Sequence, residues 1–452
     1  MKRIGLQQHR LKPPQVIVLL YIGCIVVSAV LLSLPIFHRP GVSLSFIDAL
    51  FTASSAISVT GLSVITISEV FNTGGIILLA VLFQIGGIGI MATGTFLWLM
   101  LGQRIGLSQR IQIAADYNLS TLSGIVSLMR KILLLAFTIE CIAAVILGTY
   151  LRAAGYETNL LAALFHGFFT SVSAFTNAGF DLNNGNSLIK FSGDYFFQTV
   201  IMLLIIAGAI GFPVLVEIWD YVRNPAGKTR FSLLAKITTL TFFSLVAAGA
   251  VLFYVLERDA FLADKSWHEA LFYSLFQSVS TRSGGFATMD IAGLTAPTMM
   301  MMAGLMFIGA SPMSVGGGIR TTTFFVLIAA LRAYMLGYKN VKVFRRELAD
   351  EDIHRSFMVF FLAMLLIFAA ALAFLYFEGF PLNHTIFEIT SAFGTTGLSA
   401  GITSDVTAPG KIILILCMAI GRIGIVSLLL LLKKDDADED YRFPKERVMV
   451  GQ

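Results

Sequence analysis

The sequence predicts an all-α integral membrane protein built from four repeated units around a single pore. Three observations predict this class: a strongly apolar composition, basic residues confined to alternate loops, and a short glycine-bearing polar loop that returns in each unit. Of the 452 residues, 56% are hydrophobic and 13% are charged, and the mean hydropathy is +0.82. A soluble chain of this length could not bury that much apolar surface.

Several apolar runs are long enough for a spanning helix of roughly 20 residues. The first run, from Gln15 to Leu34, could be mistaken for a signal peptide, but no small-residue cleavage site follows it. Only Pro35 and further apolar segments come next. We therefore expect this run to be a retained helix.

Basic residues mark the loops expected on the cytoplasmic side. They are Lys2, Arg3, Arg10 and Lys12; Arg104, Arg110, Arg130 and Lys131; Arg223, Lys228 and Arg230; Lys339, Lys342, Arg345 and Arg346; Lys433 and Lys434. This alternation follows the positive-inside rule and predicts a multi-pass protein with both termini in the cytoplasm. The net charge of +5 is spread over these loops, so the lipid bilayer is the expected partner and nucleic acid is not.

Internal duplication divides the chain. Two long apolar segments and one polar loop recur with a period of about 110 residues, which indicates repeats of one supersecondary unit. The predicted repeats are 14–129, 130–230, 231–354 and 355–434, followed by a cytoplasmic tail, 435–452. Each repeat would supply two spanning helices, eight in all, arranged with pseudo-four-fold symmetry about an axis along the membrane normal.

A short helix is expected before each polar loop. The predicted segments are Phe46 to Ser58, Leu160 to Phe175, Trp267 to Ser280 and Thr385 to Phe393. About 13 helical residues reach only some 20 Å, which is too short to cross a bilayer. A helix that ends at membrane depth is tolerated where it lines a watery cavity.

The third unit contains one longer apolar stretch, Ala296 to Leu336. Two crossings there would place the basic residues 339–346 outside and invert the fourth unit. We therefore predict one crossing, interrupted by the proline and glycines of segment 309–318.

The four polar loops read SAISVTGL (55–62), SAFTNAGF (173–180), SVSTRSGGF (278–286) and SAFGTTGL (391–398). Ser55, Ser173 and Ser391 align without a gap, whereas the third loop needs one inserted residue. A helix C-terminus favours a cation, and backbone carbonyls after it can replace the water shell of an ion. The alternative is that these are packing or turn glycines, which a single loop would favour. Four loops at matching places favour a pore.

These motifs resemble the Trk/Ktr/HKT superfamily of potassium transporters, closest to the membrane subunit of bacterial Ktr systems. The resemblance rests on VTGL at 59–62, NAGF at 177–180, STRSGGF at 280–286, GTTGL at 394–398, GASPMSVGGGIRTTT at 309–323 and GRIGIVSLLLL at 421–431. It covers essentially the whole chain. It implies four M1–pore-helix–M2 units and a K⁺-translocating function without enzymatic activity.

The resemblance also implies a selectivity filter made of backbone carbonyls. The implied filter residues are Thr60, Gly61, Ala178, Gly179, Gly284, Gly285, Thr396 and Gly397, with K⁺ held near the four aligned glycines. The third loop departs from the family pattern, because Ser283-Gly284 stands where Thr-Ala is more usual. Glycine at all four positions is expected for K⁺ selection. The alternative is a Na⁺-preferring or Na⁺-coupled transporter of the same superfamily.

By the same resemblance, segment 309–318 is an intramembrane gate, and Arg422 lies under the filter and contacts it. The implied gate residues are Gly309, Ala310, Ser311, Pro312, Ser314, Gly316, Gly317, Gly318 and Arg422. The alternatives are a simple flexible break for the loop, and for Arg422 a structural pairing with a buried carboxylate or helix-end carbonyls.

The implied partners are a second copy of the chain and a cytosolic nucleotide-binding regulatory ring of the RCK type. The tail, Tyr441 to Gly451, would reach the dimer partner. No cofactor is expected in this chain. K⁺ is the transported ion, Na⁺ is a candidate activator, and the location is a bacterial plasma membrane.

Some polar residues need separate interpretations. We expect Arg282 behind the filter, bonded to pore-helix carbonyls, and Asp48 as a helix cap. Glu140 is expected to meet a polar partner and is given no role. A membrane metalloenzyme built on His166, His268 with Glu269, and His384 with Glu388 is disfavoured, because no His-Glu-x-x-His pattern occurs.

Overall fold

Long apolar helices dominate the computed structural model, which describes residues 13–89, 93, 106–116, 123–223, 231–425, 444 and 446. The predicted tail, 435–452, lies outside the described residues except for 444 and 446. The basic residues of 2–12, Arg104, Lys228, Arg230, Lys433 and Lys434 also lie outside them.

Four helices in this described part are long and apolar enough to cross a bilayer. They are α1 (Pro13–Leu32), α6 (Ile125–Ala153), α10 (Leu233–Glu257) and α14 (Asp350–Glu378). Each is the first helix of a predicted unit. The boundaries predicted at 129/130 and 354/355 fall inside α6 and α14, which begin at Ile125 and Asp350. Arg130 and Lys131 are therefore helical, and Lys131 pairs with Asp220 at 2.8 Å.

The second long helix of each unit is shorter or interrupted. These helices are α4 (Thr73–Ile88), the pair α8 (Tyr195–Ala209) and α9 (Phe212–Arg223), the pair α12 (Ala296–Phe307) and α13 (Thr321–Met335), and α16 (Ala408–Ile423). The pair α8 and α9 is bent by 107° and counts as a fifth candidate span. Helix length therefore does not confirm the predicted eight spans.

Four short helices enter the middle of the structure: α2 (Phe46–Ser58), α7 (Leu160–Phe175), α11 (Trp267–Ser280) and α15 (Leu382–Gly394). The first three have the predicted bounds, and the fourth extends the prediction at both ends. Their starts are fixed locally. Ser45, Asn159 and Ser266 lie at the N-caps, and Ser266 forms a capping box with Glu269.

Smaller elements complete the chain. They are α3 (Ile67–Val70), α5 (Leu107–Asp116), a two-stranded hairpin of β1 (Lys342–Val343) and β2 (Arg346–Glu347), and 3₁₀ turns at Pro35–Phe37, Ile189–Phe191 and Thr403–Asp405. Close glycine contacts let the short helices pack inside the long ones. A methyl group at Gly148 of α6 would lie 2.8 Å from the Cα of Leu164 in α7. This close approach packs α7 directly against α6.

Candidate functional site

The four aligned glycines share one backbone conformation. Their φ angles are 94° at Gly61, 66° at Gly179, 75° at Gly285 and 91° at Gly397, in the left-handed region that favours glycine. The residue two places earlier also has positive φ in every loop: Val59 (56°), Asn177 (55°), Ser283 (68°) and Thr395 (47°). The residue between these two positions does not have a positive φ in any of the four loops. The third loop keeps this pattern, although one inserted residue was predicted there from the sequence.

The glycines meet in chain order. We call Gly61, Gly179, Gly285 and Gly397 the glycine ring. A methyl group built on Gly397 would lie 3.0 Å from the Cα of Gly61, and one on Gly61 would lie 3.1 Å from that of Gly179. One on Gly179 would lie 2.9 Å from the Cα of Gly285, and one on Gly285 would lie 2.5 Å from the carbonyl oxygen of Thr396. The structure therefore brings all four predicted loops together into a closed ring.

Backbone carbonyls are available at this ring. The residues that precede the glycines are Thr60, Ala178, Gly284 and Thr396, and the first, second and fourth place their carbonyl oxygens against the neighbouring glycine. The oxygen of Gly285 lies 3.3 Å from a methyl group built on Gly179. Carbonyl oxygens from four directions are the ligand set that replaces the hydration shell of a monovalent cation.

One serine at the end of each short helix holds the loop that follows. Ser55 and Ser391 accept hydrogen bonds from the N–H groups of Gly61 (3.0 Å) and Gly397 (3.1 Å). Ser173 donates to the carbonyl oxygen of Phe180 at 2.7 Å. In the third unit Ser280 donates to the carbonyl oxygen of Phe286. The sequence alignment missed Ser280, because it lies one residue closer to its glycine than the other three serines.

Arg282 lies behind the third loop and is fully buried. Its Nη2 donates to the carbonyl oxygen of Leu305 in α12. Arg282 was expected to bond to carbonyls of a short pore helix. It bonds instead to a carbonyl of α12, the helix that follows the third loop. The last turn of α12 leaves the Leu305 oxygen free, because the N–H of Gly309 bonds to Met306 instead. A cation near a helix C-terminus is favourable.

The predicted interruption between α12 and α13 is present as a compact loop. We call residues 309–318 the broken-helix loop. Ala310 N–H donates to the Gly317 oxygen at 3.1 Å, and Ile319 N–H donates to the Phe307 oxygen at 3.2 Å. Ser314 Oγ donates to the Ser311 oxygen at 2.6 Å. Gly309 and Gly318, at φ 52° and 75°, turn the chain at the two ends of the loop.

The bend between α8 and α9 is bonded to this loop. The N–H groups of Ser311 and Val315 donate to the oxygens of Ala209 (3.1 Å) and Gly208 (3.3 Å), and the N–H of Phe212 donates to the Met313 oxygen at 2.8 Å. A methyl group on Gly211, at φ 100°, would lie 2.7 Å from the Pro312 oxygen. This bend was not predicted from the sequence, although Gly211 followed by Phe-Pro was a usable signal.

The loop also touches the glycine-ring segments. A methyl group on Gly316 would lie 2.6 Å from Ser283 Oγ, and one on Gly317 would lie 2.7 Å from Thr395 Oγ1 and 2.8 Å from the Gly421 oxygen. These glycines therefore let the loop pack against the third and fourth polar loops at van der Waals distance.

Two arginines donate hydrogen bonds to backbone oxygens of the broken-helix loop. Arg422 donates through Nη1 to the Val315 oxygen and, at 3.4 Å, to the Gly316 oxygen. Its Nη2 donates to the oxygens of Gly86 and, at 3.0 Å, Gly87 in α4. The predicted contact between Arg422 and the loop is therefore present. Arg320 also donates to the Gly316 oxygen, a contact that was not predicted from the sequence.

Charged groups on the short helices have separate local partners. Asp48 accepts from Ser45 Oγ at 2.6 Å and pairs with Lys411 of α16 at 2.6 Å. Hydrogen bonds from Ser266 hold the pKa of Glu269 below its ordinary value. Glu388 accepts from Ser399 Oγ at 2.5 Å and from the Ala400 N–H at 3.0 Å.

Three histidines were candidate metal ligands, but each has a different neighbour. His166 lies 3.2 Å from Glu157, His268 lies 3.2 Å from Ser266, and His384 lies 3.2 Å from Asn383. No group of three His, Cys, Asp or Glu residues that could hold a metal ion occurs within the described ranges. The geometry gives no support to the metalloenzyme alternative.

Glu140 of α6 has the polar partner that was expected. Nε2 of Gln84 in α4 donates to both of its carboxylate oxygens, at 3.0 and 2.9 Å. Ser171 Oγ donates to the backbone oxygen of Glu140 at 2.9 Å. The Gln84 bonds link the first unit to the second, and the Ser171 bond joins α7 to α6 within the second unit.

Comparison with known proteins agrees with this architecture. The profile of the TrkH family, described as cation transport protein, matches residues 17–441. The chain is 51% identical over 449 residues to Ktr system potassium uptake protein D of Bacillus subtilis, covering 99% of both chains. It is 36% identical over 450 residues to Ktr system potassium uptake protein B of the same organism, covering 98% of this chain and 97% of the relative.

A solved structure has the same fold. The crystal structure of the potassium transporter TrkH from Vibrio parahaemolyticus superposes with a TM-score of 0.73. The superposition covers 94% of this chain and 86% of that one, at 19% sequence identity. This likeness concerns the fold alone.

Proposed function

Because the chain belongs to the TrkH family of cation transport proteins, we propose that it is the potassium-translocating membrane subunit of a Ktr-type uptake system. The relatives are potassium uptake proteins by name, and this chain is a multi-pass membrane protein of their family. The observation that carries the proposal is the closure of four glycines, one from each unit, into a ring in chain order. No enzymatic role is proposed.

We propose that the four units supply eight spanning segments around one pore. The four long helices would cross first in each unit, and α4, α8–α9, α12–α13 and α16 would form the second crossings with their interruptions. The basic loops and both termini would face the cytoplasm of a bacterial cell. Arg345 and Arg346, on the exposed β1–β2 hairpin, support this orientation.

The glycine ring and the residue before each glycine would form the selectivity filter. An ion that enters it would exchange its hydration water for carbonyl oxygens of Thr60, Ala178, Gly285 and Thr396. The short helices direct the negative ends of their dipoles toward the ion path, which favours a cation without a fixed carboxylate. Such a site suits a weakly hydrated monovalent ion, because neutral oxygens bind it without holding it too tightly.

The broken-helix loop would be the gate, and Arg422 would hold it closed. The loop lies against Ser283 and Thr395, on the side of the ring where the short helices end. Its backbone is fixed by Arg422, by Arg320 and by the α8–α9 bend. Opening would require these bonds to exchange partners while the loop withdraws.

The partners proposed are a second copy of the chain and a cytosolic nucleotide-binding ring of the RCK type. The relatives are named as parts of a Ktr system, which supports a subunit that works with other components. Na⁺ is proposed as an activator only. A Na⁺-preferring transporter is not favoured by these names.

The test is ⁸⁶Rb⁺ uptake and potassium-limited growth in bacteria that lack their own potassium uptake systems. The chain is expressed with its native regulatory partner, and a Gly179→Asp variant is the matched control. We expect the wild-type chain to restore growth and saturable Rb⁺ uptake, with little competition from Na⁺. Absence of rescue, or uptake that Na⁺ inhibits as strongly as K⁺ does, would overturn the proposal.

A further inference from the structure

Helix α9 (Phe212–Arg223) departs from the direction of the crossing that precedes it. It is bent by 107° from α8, so a crossing along α8 turns toward the plane of the bilayer at α9. Two side-chain contacts fix its level. Asp220 pairs with Lys131 in the second turn of α6, and Glu217 accepts a hydrogen bond at 3.0 Å from the N–H of Ser232, the N-cap of α10. Helix α9 therefore lies at the level where α6 and α10 begin, which is the cytoplasmic level in the proposed orientation.

The last turns of α9 expose a mainly apolar surface. The first turn is buried, including the side chains of Phe212 and Val214. The exposed residues, which we call the α9 surface, are Ile218, Trp219, Tyr221, Val222 and Arg223. Tryptophan and tyrosine are enriched where acyl chains meet lipid headgroups, because each ring combines an apolar body with a polar group. The α9 surface has the composition of a helix that lies in this boundary layer.

One positive charge on the α9 surface has no carboxylate partner within the described ranges. The guanidinium carbon of Arg223 lies 4.4 Å from the centroid of the Trp219 ring, in a cation–π contact. The ion pairs formed among the described residues do not include Arg223. Both acidic side chains of α9 are already engaged in the two contacts that fix its level. The surface therefore presents a cation beside exposed aromatic rings, and an anionic lipid complements both features.

The opposite end of α9 is bonded to the broken-helix loop. The N–H of Phe212, the first residue of α9, donates to the Met313 oxygen at 2.8 Å. The 12 residues of α9 span about 18 Å, so the α9 surface lies within one short helix of the loop. A bilayer contact at one end of α9 therefore acts on a helix whose other end holds the loop.

We propose that the α9 surface binds anionic phospholipids of the inner leaflet. Trp219 and Tyr221 lie between the headgroups and the acyl chains, and Arg223 pairs with a lipid phosphate. The bilayer is the occupant that the position favours, because α9 continues a crossing helix and stays bonded to the first turns of two others. The inference goes beyond the proposed transport function, and only the choice of leaflet depends on the proposed orientation.

The experiment measures contact between Trp219 and lipid directly. The chain has three tryptophans, so the substitutions Trp98→Phe and Trp267→Phe leave Trp219 as the only one. The full chain is reconstituted in phosphatidylcholine vesicles in which equal mole fractions of the lipid are replaced by brominated phosphatidylcholine or brominated phosphatidylglycerol. Bromine quenches tryptophan fluorescence on contact. Both brominated lipids should quench Trp219, and the phosphatidylglycerol should quench it about twofold more, because the arginine concentrates anionic lipid around it.

The controls separate charge from position. Arg223→Gln should abolish the preference for phosphatidylglycerol and leave quenching by brominated phosphatidylcholine unchanged, which shows that Trp219 has not moved. Arg223→Lys keeps the charge and should retain the preference. Arg152→Gln removes an exposed arginine at the opposite end of α6 and should change neither value.

Three results would overturn the proposal. Equal quenching by the two lipids in the chain that retains Arg223 would exclude an anionic preference. Absence of quenching by either lipid would show that protein, such as a second copy of the chain, covers the α9 surface. Loss of quenching when the native cytosolic partner is added would assign the surface to that partner instead. None of these measurements requires ion flux, so failure of Rb⁺ uptake would count against the proposed function alone.

Discussion

The glycine ring and the broken-helix loop lie in contact, and their contributions from the four units differ. In the ring every unit contributes the same two positive-φ positions and a serine that fixes the loop. In the broken-helix loop only the third unit contributes the backbone. The second unit supplies a bent helix, the fourth supplies Arg422, and the first supplies the carbonyls of Gly86 and Gly87. Selection of an ion is thus proposed to rest on equivalent contributions, and control of its passage on unequal ones.

The largest effect on Rb⁺ uptake is expected when one glycine of the ring is replaced, so that the four loops no longer share one conformation. Gly397→Ala forces a residue with a side chain into φ 91° and drives its methyl group into the Thr60 carbonyl. We expect saturable ⁸⁶Rb⁺ uptake to fall more than about tenfold, because strain and backbone overlap act together.

The control for this change is Gly401→Ala. Its φ is 86°, but the nearest atom to a new methyl group is Ala292 Cβ at 3.5 Å, an ordinary contact. Uptake should stay within about twofold of wild type, since only strain of about 1–2 kcal/mol is added. Equal losses in the two variants would show that φ strain, and not ring geometry, limits transport.

Displacement of the broken-helix loop should act in the opposite direction. A methyl group on Gly317 would lie 2.6 Å from Thr395 Cγ2 and 2.8 Å from the Gly421 oxygen, so Gly317→Ala should shift the loop away from the ring. We expect Rb⁺ flux without the cytosolic partner to rise about fivefold, through a shift in the closed–open equilibrium. Gly304→Ala in α12 is the control, because nothing lies within 4 Å of its new methyl group. Reduced or unchanged flux in Gly317→Ala would argue against displacement.

A smaller increase is expected from the loss of one arginine. Arg320→Met removes the donor to the Gly316 oxygen and retains most of the side-chain length. Partner-independent flux should rise about threefold, because a charge-assisted hydrogen bond that holds the closed loop is lost while Arg422 remains. Arg332→Met, at an exposed site of α13, should change nothing. Flux equal to wild type in both variants would remove Arg320 from the gate.

The smallest effect concerns the contact between the first and fourth units. Asp48→Asn breaks the ion pair with Lys411. The Asp48 side chain is 22% exposed and the Lys411 side chain is 14% exposed. We expect a loss of about 0.5–1 kcal/mol in stability and no change in uptake. Thermal unfolding in detergent provides the measurement, with Asp259→Asn in the exposed Arg258 pair as control. A large fall in uptake would mean that this pair shapes the ring.

Patterns local in sequence were sufficient for much of the fold. The bounds of α2, α7 and α11 and the interruption at 309–318 follow from apolar run length, glycine spacing and proline. They could be predicted because each depends on neighbouring residues and on the repeat. The inserted residue predicted for the third loop is not found, because Ser280, which holds that loop, lies one residue closer to its glycine than the serines of the other loops. The functional roles given to the ring and the loop remain proposals.

Features that depend on tertiary contact were missed. Arg282 bonds to Leu305 because α12 ends at Phe307 and leaves that carbonyl free, which the polar loop alone does not reveal. Arg320 reaches Gly316 because the loop folds back on itself. The α8–α9 bend lies in a run that is apolar throughout, so hydropathy cannot separate it from a straight helix.

The residues at the end of the ring, Val59, Asn177, Ser283 and Thr395, have an evolutionary consequence. A pore assembled from four identical subunits must place every substitution at four positions at once. In a chain that carries all four quarters, a single codon change alters one quarter and leaves three intact. Duplication within one gene therefore allows the lining of such a ring to be changed in steps, one residue at a time, without loss of the shared architecture.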